Sequence, residues 1–201
     1  MSGLALRVEP SECEPATSWA SRLAERNGCA TVQDLVHDMG FSWKKFRTGD
    51  KAVVTALCEL ANVDPEKLLK FTYRIGDEST SKWVGDEWLA PKLMRFDAPS
   101  VCPSCIEDAQ NGSSNFPRSG APIWWYIDGI RSCPIHGRAL IQLPRPERGR
   151  CKHDHAGRVR DNISLITKAL KIAEICEPSE LECYVLRSMS CGRSTTNRWV
   201  D

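Results

Sequence analysis

No stretch of this chain can span a membrane: a spanning helix needs about 20 consecutive apolar residues, and charges or prolines interrupt every apolar run sooner. The opening residues, MSGLALRVEPSECEP, reach acid and proline too early for a secretory signal. A soluble, cytoplasmic protein is the expectation. The sequence also lacks His-Glu-x-x-His and the His-x-Glu of zinc deaminases, so the usual general base beside a catalytic zinc is missing. No internal repeat occurs. Net charge is nearly absent, at +1, and by itself says nothing about partners.

What is present is a globular composition, 41% hydrophobic and 26% charged over 201 residues, enough for one good domain or two small ones. Charge is distributed unevenly. Ten Lys/Arg and three Asp/Glu fall between Arg131 and Lys171, a local excess of +7. Such a segment hints at nucleic-acid contact or simply forms a solvated basic face. Arg145, Arg148 and Arg150, in the Pro/Arg-rich LPRPERGR, are its candidate contacts.

The N-terminal part reads as short helices. Thr17 or Ser18 can cap a helix with Trp19, Ala20, Leu23 and Ala24 on its inner face, stopped by Gly28. Thr31 caps a second, with Val32, Leu35, Val36 and Met39 at helical spacing. Asp50 caps a third, and Asp64-Pro65 begins a fourth carrying Lys67 and Lys70. Helix, three-residue turn, helix is the order of a helix-turn-helix, which makes Lys67 and Lys70 candidate DNA contacts. Residues 76–97 read as a connector packed by Trp83 and Trp88. Beyond the linker, DNISLITKALKIAEIC predicts an amphipathic helix, and Pro178 opens another with Leu181, Val185 and Leu186 apolar.

Ten cysteines are many, and a reducing compartment disfavours disulfides. Cys13, Cys29, Cys58, Cys176, Cys183 and Cys191 are scattered and read as small packed side chains. Cys102-Pro-Ser-Cys105 and Cys133-Pro-Ile-His136 are different. Two such turns around a loop suit one tetrahedral zinc held by Cys102, Cys105, Cys133 and His136. A thioredoxin-type redox pair needs a βαβ setting that the pattern does not supply; unrelated buried cysteines are the other alternative. CKHDH offers Cys151, His153 and His155 without an obvious fourth ligand and reads as exposed linker.

SWASRLAERNG, DLVHDMGF, LCELANVDPEKL, CPSC, WWY and CPIHGRAL, in this order over residues 14–143, resemble TniQ proteins. The resemblance implies a mostly α chain: a helix-turn-helix-like domain (14–75), the connector (76–97), a zinc-finger domain (98–143), and a basic linker, two helices and a polar tail (144–201). It implies a non-enzymatic factor of DNA transposition. Such a factor joins target DNA or an RNA-guided CRISPR effector to the AAA+ ATPase that recruits the transposase. Trp19 and Arg22, one turn apart, are the candidate docking pair for that ATPase; homodimerisation stays open. The stretch after the His knuckle, LIQLPRPERGRCKHDH, has only one cysteine where many family members have a pair, and the C-terminal part is short. Both departures favour a short bridging protein with one zinc.

Overall fold

In the computed structural model, which describes residues 4, 6–75, 82–112, 120–147 and 152–189, helix α1 (Ala16–Arg26) runs through the middle of the molecule. Its residues from Ala16 to Ala24 are all buried, on every face. Ser18 Oγ accepts the Ala121 N–H at 2.8 Å, and Ser21 Oγ accepts the Ala156 N–H at 2.9 Å. The start of α1 differs from the capping pattern. Thr17 and Ser18 lie inside the helix, because Thr72 Oγ1, from far along the chain, accepts the Ala16 N–H at 2.9 Å. A cap supplied by a distant residue satisfies the same orphan donor as a local one.

That burial corrects the reading of Trp19 and Arg22 as a docking pair. Trp19 is 0% exposed and its Nε1 donates to Val8 O; Arg22 is 3% exposed and ion-paired with the buried Glu14. An amphipathic pattern predicts one inward face, but α1 is covered from both sides, so its polar residues are inside too.

Around α1 pack α2 (Val32–Asp38), α3 (Trp43–Arg47), α4 (Lys51–Ala61) and the single-turn α5 (Glu66–Leu69). Thr31, Ser42 and Asp50 cap α2, α3 and α4 through their side chains. α4 ends on Asn62 in the left-handed region. Trp19, Leu23, Leu35, Phe46, Leu57 and Leu68 form the core of this body. The helix-turn-helix order of α4 and α5 is present, but α5 spans only four residues.

Of the connector 76–97, residues 76–81 lie outside the described residues, and 82–97 do more than connect. β1 (Tyr73–Ile75), β2 (Lys82–Val84) and β3 (Glu87–Leu89) form an antiparallel sheet in which Trp83 faces Trp88. KWVGDEWL alternates at period two about a Gly-Asp turn, a hairpin signal. Trp88 stays mostly exposed, while Tyr73, Val84 and Leu89, one from each strand, are buried against the body, so cross-strand pairing and packing of this face together organise the sheet.

A second core gathers Ile106, Ile123, Trp125, Ile130, Leu143 and Ile166. It is built by β4 (Ser100–Val101), α6 (Pro103–Asn111), a 3₁₀ turn at Ile123–Tyr126, and β5 (Ile141–Gln142), which pairs with β4. α7 (His155–Asp161), α8 (Ile163–Ile172) and α9 (Glu180–Ser188) complete it. His155 is buried and the Nδ1 of His153 is inaccessible, which corrects the exposed-linker reading of this stretch; Cys151 lies outside the described residues. Asp154 is buried as well and accepts the Ser21 hydroxyl at 2.6 Å, tying α7 to α1. No helix of the described residues is long and apolar enough to cross a membrane.

Candidate metal centre

Cys102 is the N-cap of α6, and Pro103 occupies the first helical position, where its missing N–H costs nothing. Cys105 therefore lies in the first turn of the same helix, where the helix dipole favours a thiolate. The other two donors come from a tight hairpin. Cys133 N donates to Arg138 O at 2.8 Å, Gly137 N to Cys133 O at 2.9 Å and Leu140 N to Arg131 O at 2.7 Å. Gly137 sits at φ +57°, and a Cβ there would lie 2.7 Å from Glu177 Oε1, so glycine meets both demands.

The four donor atoms converge. Nδ1 of His136 is 3.6 Å from Cys102 Sγ, 3.3 Å from Cys105 Sγ and 3.6 Å from Cys133 Sγ, and Cys105 and Cys133 are 3.6 Å apart. All four lie within 4.8 Å of one another. A tetrahedral ion with bonds of about 2.3 Å to sulfur and about 2.0 Å to nitrogen sets its donors roughly 3.5–3.8 Å apart. The observed spacings fit, so the cluster could hold one metal ion with all four positions closed by protein.

Without a cation the crowding is electrostatically awkward. Cys133 is drawn well below the ordinary thiol range, first by hydrogen bonds from the Cys102 and Cys105 thiols and then by the N–H groups of His136 and Ile135. Cys105 is pushed up by its hydrogen bonds with Cys102 and Cys133 and by burial. Only one thiol ionises readily alone. A bound dication draws off the remaining protons, which is why such binding depends on pH.

Asp108, absent from the sequence reading, completes the arrangement. Its Oδ2 lies 2.9 Å from His136 Nε2. Nε2–H donating to this carboxylate leaves the Nδ1 lone pair facing the sulfurs, the usual outer support of a metal-bound imidazole. The signal was Asp108 three residues after Cys105, hence on one helical face; it needed 103–111 to be recognised as helix. Glu182, also missed, braces the hairpin from outside. Its Oε1 accepts Arg131 N at 2.7 Å, Ser132 N at 3.0 Å and Ser132 Oγ at 2.9 Å.

The remaining candidates are dispersed. Arg145 is largely exposed, 3.5 Å from Asp97; Lys67 and Lys70 are exposed; Arg148 and Arg150 lie outside the described residues. The +7 segment is partly spent internally. Arg158 is buried and donates to Pro144 O, and Arg160 pairs with Glu25 at 3.1 Å. The Cys102–Cys105 pair does begin a helix, as a redox pair would, yet a short antiparallel ladder precedes it and a histidine and a third thiol share its site.

The TniQ family model matches residues 5–140, more than half of the chain. No curated protein matches.

Proposed function

The chain belongs to the TniQ family, and from that premise we propose that it is a non-enzymatic adaptor linking target recognition to an AAA+ ATPase regulator and its transposase. Membership itself implies a role in transposition. The observation that carries the finer reading is the extent of the match. It runs from the N-terminal segment to Leu140 and so takes in the helical body, the sheet and both halves of the Cys/His cluster. The matched unit is a scaffold of two joined parts, suited to holding two partners at a fixed separation.

The ion we assign to the cluster is zinc. Three sulfur donors and one imidazole at tetrahedral spacing suit it, and four protein ligands leave no position for a substrate. Its role here is to hold α6 against the 131–140 hairpin; Asp108 orients His136, and Glu182 fixes the hairpin from outside. On the target side the partner is DNA or an RNA-guided effector. The alternative, a helix-turn-helix and zinc-finger transcription regulator that binds DNA by itself, needs a recognition helix, and α5 is one turn, about 6 Å long.

The test combines the purified chain with the candidate AAA+ ATPase and transposase of its native host. The adaptor reading expects the ATPase to be retained on the immobilised chain and targeted insertion to require the chain. Retention of the ATPase at background level, with insertion unchanged by deleting the chain, contradicts it.

A further inference from the structure

Residues 172–184 present large apolar side chains to solvent in close succession. Ile172 is 79% exposed, Ile175 83%, Leu181 72% and Tyr184 50%. Single exposed hydrophobics are ordinary, but a run of them on fixed backbone marks an interaction surface. This backbone is fixed. Ala139 N donates to Glu174 O at 3.1 Å, Cys176 N donates to Gly137 O at 2.8 Å, and Ile175 pairs with Arg138 as an antiparallel bridge. The first turn of α9 is held to the opposite strand of the hairpin through Glu182. Both halves of the segment are thus fastened to the metal-binding hairpin.

Within the segment the charge has one sign, while Arg138, whose Nη1 donates to Ala173 O at 3.4 Å, and the exposed Lys171 flank its start. Glu174, Glu177 and Glu180 are exposed, and no Lys or Arg occurs from residue 172 to 186. An acidic rim repels nucleic-acid phosphates, anionic lipids and the same face of a second copy. It attracts a protein surface that is apolar at its centre and basic at its edge.

We propose that the acid-rimmed apolar segment 172–184 is a docking surface for a protein of that complementary kind and, resting on the adaptor reading above, that this protein is the AAA+ ATPase. The segment lies beyond the residues matched to the family. It takes the place of Trp19 and Arg22, which the fold buries.

The experiment measures the dissociation constant of the full chain for the candidate AAA+ ATPase of its native host. Ile175→Asp and Leu181→Asp are each expected to weaken binding by about tenfold or more. Glu174→Lys is expected to weaken it and to flatten its salt dependence. Trp88→Asp, at an exposed aromatic of β3, is the control and leaves affinity unchanged. Circular dichroism and bound metal should match the unaltered chain in all four. Undiminished affinity in Ile175→Asp and Leu181→Asp overturns the surface and leaves the adaptor reading standing. An unaltered chain that does not bind the ATPase overturns the adaptor reading and this assignment with it. A chain that sediments as a dimer and becomes a monomer on Ile175→Asp overturns the proposal in favour of self-association.

Discussion

Arg22 is enclosed by acceptors: its Nε donates to Glu14 Oε1 at 2.9 Å and its Nη2 donates to Glu9 O at 2.9 Å. Removing one partner of a buried pair strands the other, so Arg22→Ala should cost about 3–5 kcal/mol. Arg145→Ala, at an exposed pair, should stay within about 0.5 kcal/mol. Urea unfolding separates the two; equal midpoints would contradict the buried pair. Asp108 acts at one remove, through His136. Asp108→Ala should lower metal affinity roughly 10–100-fold without removing a ligand. Chelator competition reads this, and an unchanged affinity would mean that the imidazole needs no support. His153 sets a pH dependence. Burial, then the charges of Lys152 and Arg47, lower it to about 4. The unfolded chain takes up this proton near pH 6.5 and the folded chain only near 4, so its contribution to stability falls as pH drops through that window. His153→Phe, between the rings of Trp43 and Phe96, should flatten that part of the stability profile.

Helix α9 shows how an element's rotation is decided outside it. The apolar pattern placed Leu181 inward after a start at Pro178. Instead Ser179 caps the helix in a reciprocal box with Glu182, and the inward positions are Glu182, Val185, Leu186 and Met189. Glu182 turns in because the hairpin offers it the N–H groups of Arg131 and Ser132, leaving Leu181 outside. Burial pushes this carboxyl up, but the N–H groups of Arg131 and Ser179 and the hydroxyls of Ser179 and Ser132 outweigh it and bring it to about 2. Its stabilisation is therefore complete above pH 4.5 and lost as pH falls toward 2, a lower window than that of His153. Glu182→Gln should cost about 2 kcal/mol at neutral pH and speed exchange of the Arg131 and Ser132 amides. Unaltered exchange would mean that the hairpin stands without α9. For α5 the scale is decisive in another way. A one-turn helix cannot fill a major groove, so reversing Lys67 and Lys70 together should weaken any DNA binding evenly across sequences. A loss confined to one sequence would restore the regulator reading.

At the scale of the whole molecule, two cores meet along α1. Ser18 and Ser21 reach across it, and Ile123 N donates to Cys13 O at 2.8 Å. Metal removal should act on one core and spare much of the other. With the ion chelated, the four donors lose their common partner, and α6, the hairpin and α9 lose their arrangement together. The near-UV signal of Trp124 and Trp125 should fall, and amide protection should drop over 120–143 and 174–189. Helices α2 and α4, capped by their own side chains around Trp19 and Leu57, should keep theirs. Hydrogen exchange with and without chelator checks this; uniform loss would show the two cores to be one cooperative unit.

The sequence by itself determined what depends on near neighbours. The caps at Thr31 and Asp50, the stop at Gly28 and the paired Cys-Pro turns are legible because a cap or a chelating turn is completed within a few residues. The convergence of Cys102, Cys105, Cys133 and His136 was legible for the same reason, each pair being preset by its own turn. Tertiary structure alone decided what long separations supply. Thr72 starts α1, Glu182 sets the face of α9, the second core covers the side of α1 that carries Ser18 and Ser21, and the segment from Val8 to Glu14 closes over Trp19 and Arg22. A side chain's exposure is fixed by whatever packs against it, and for α1 those elements arrive from residues 72, 121 and 156. Periodicity along one helix cannot encode neighbours so far away.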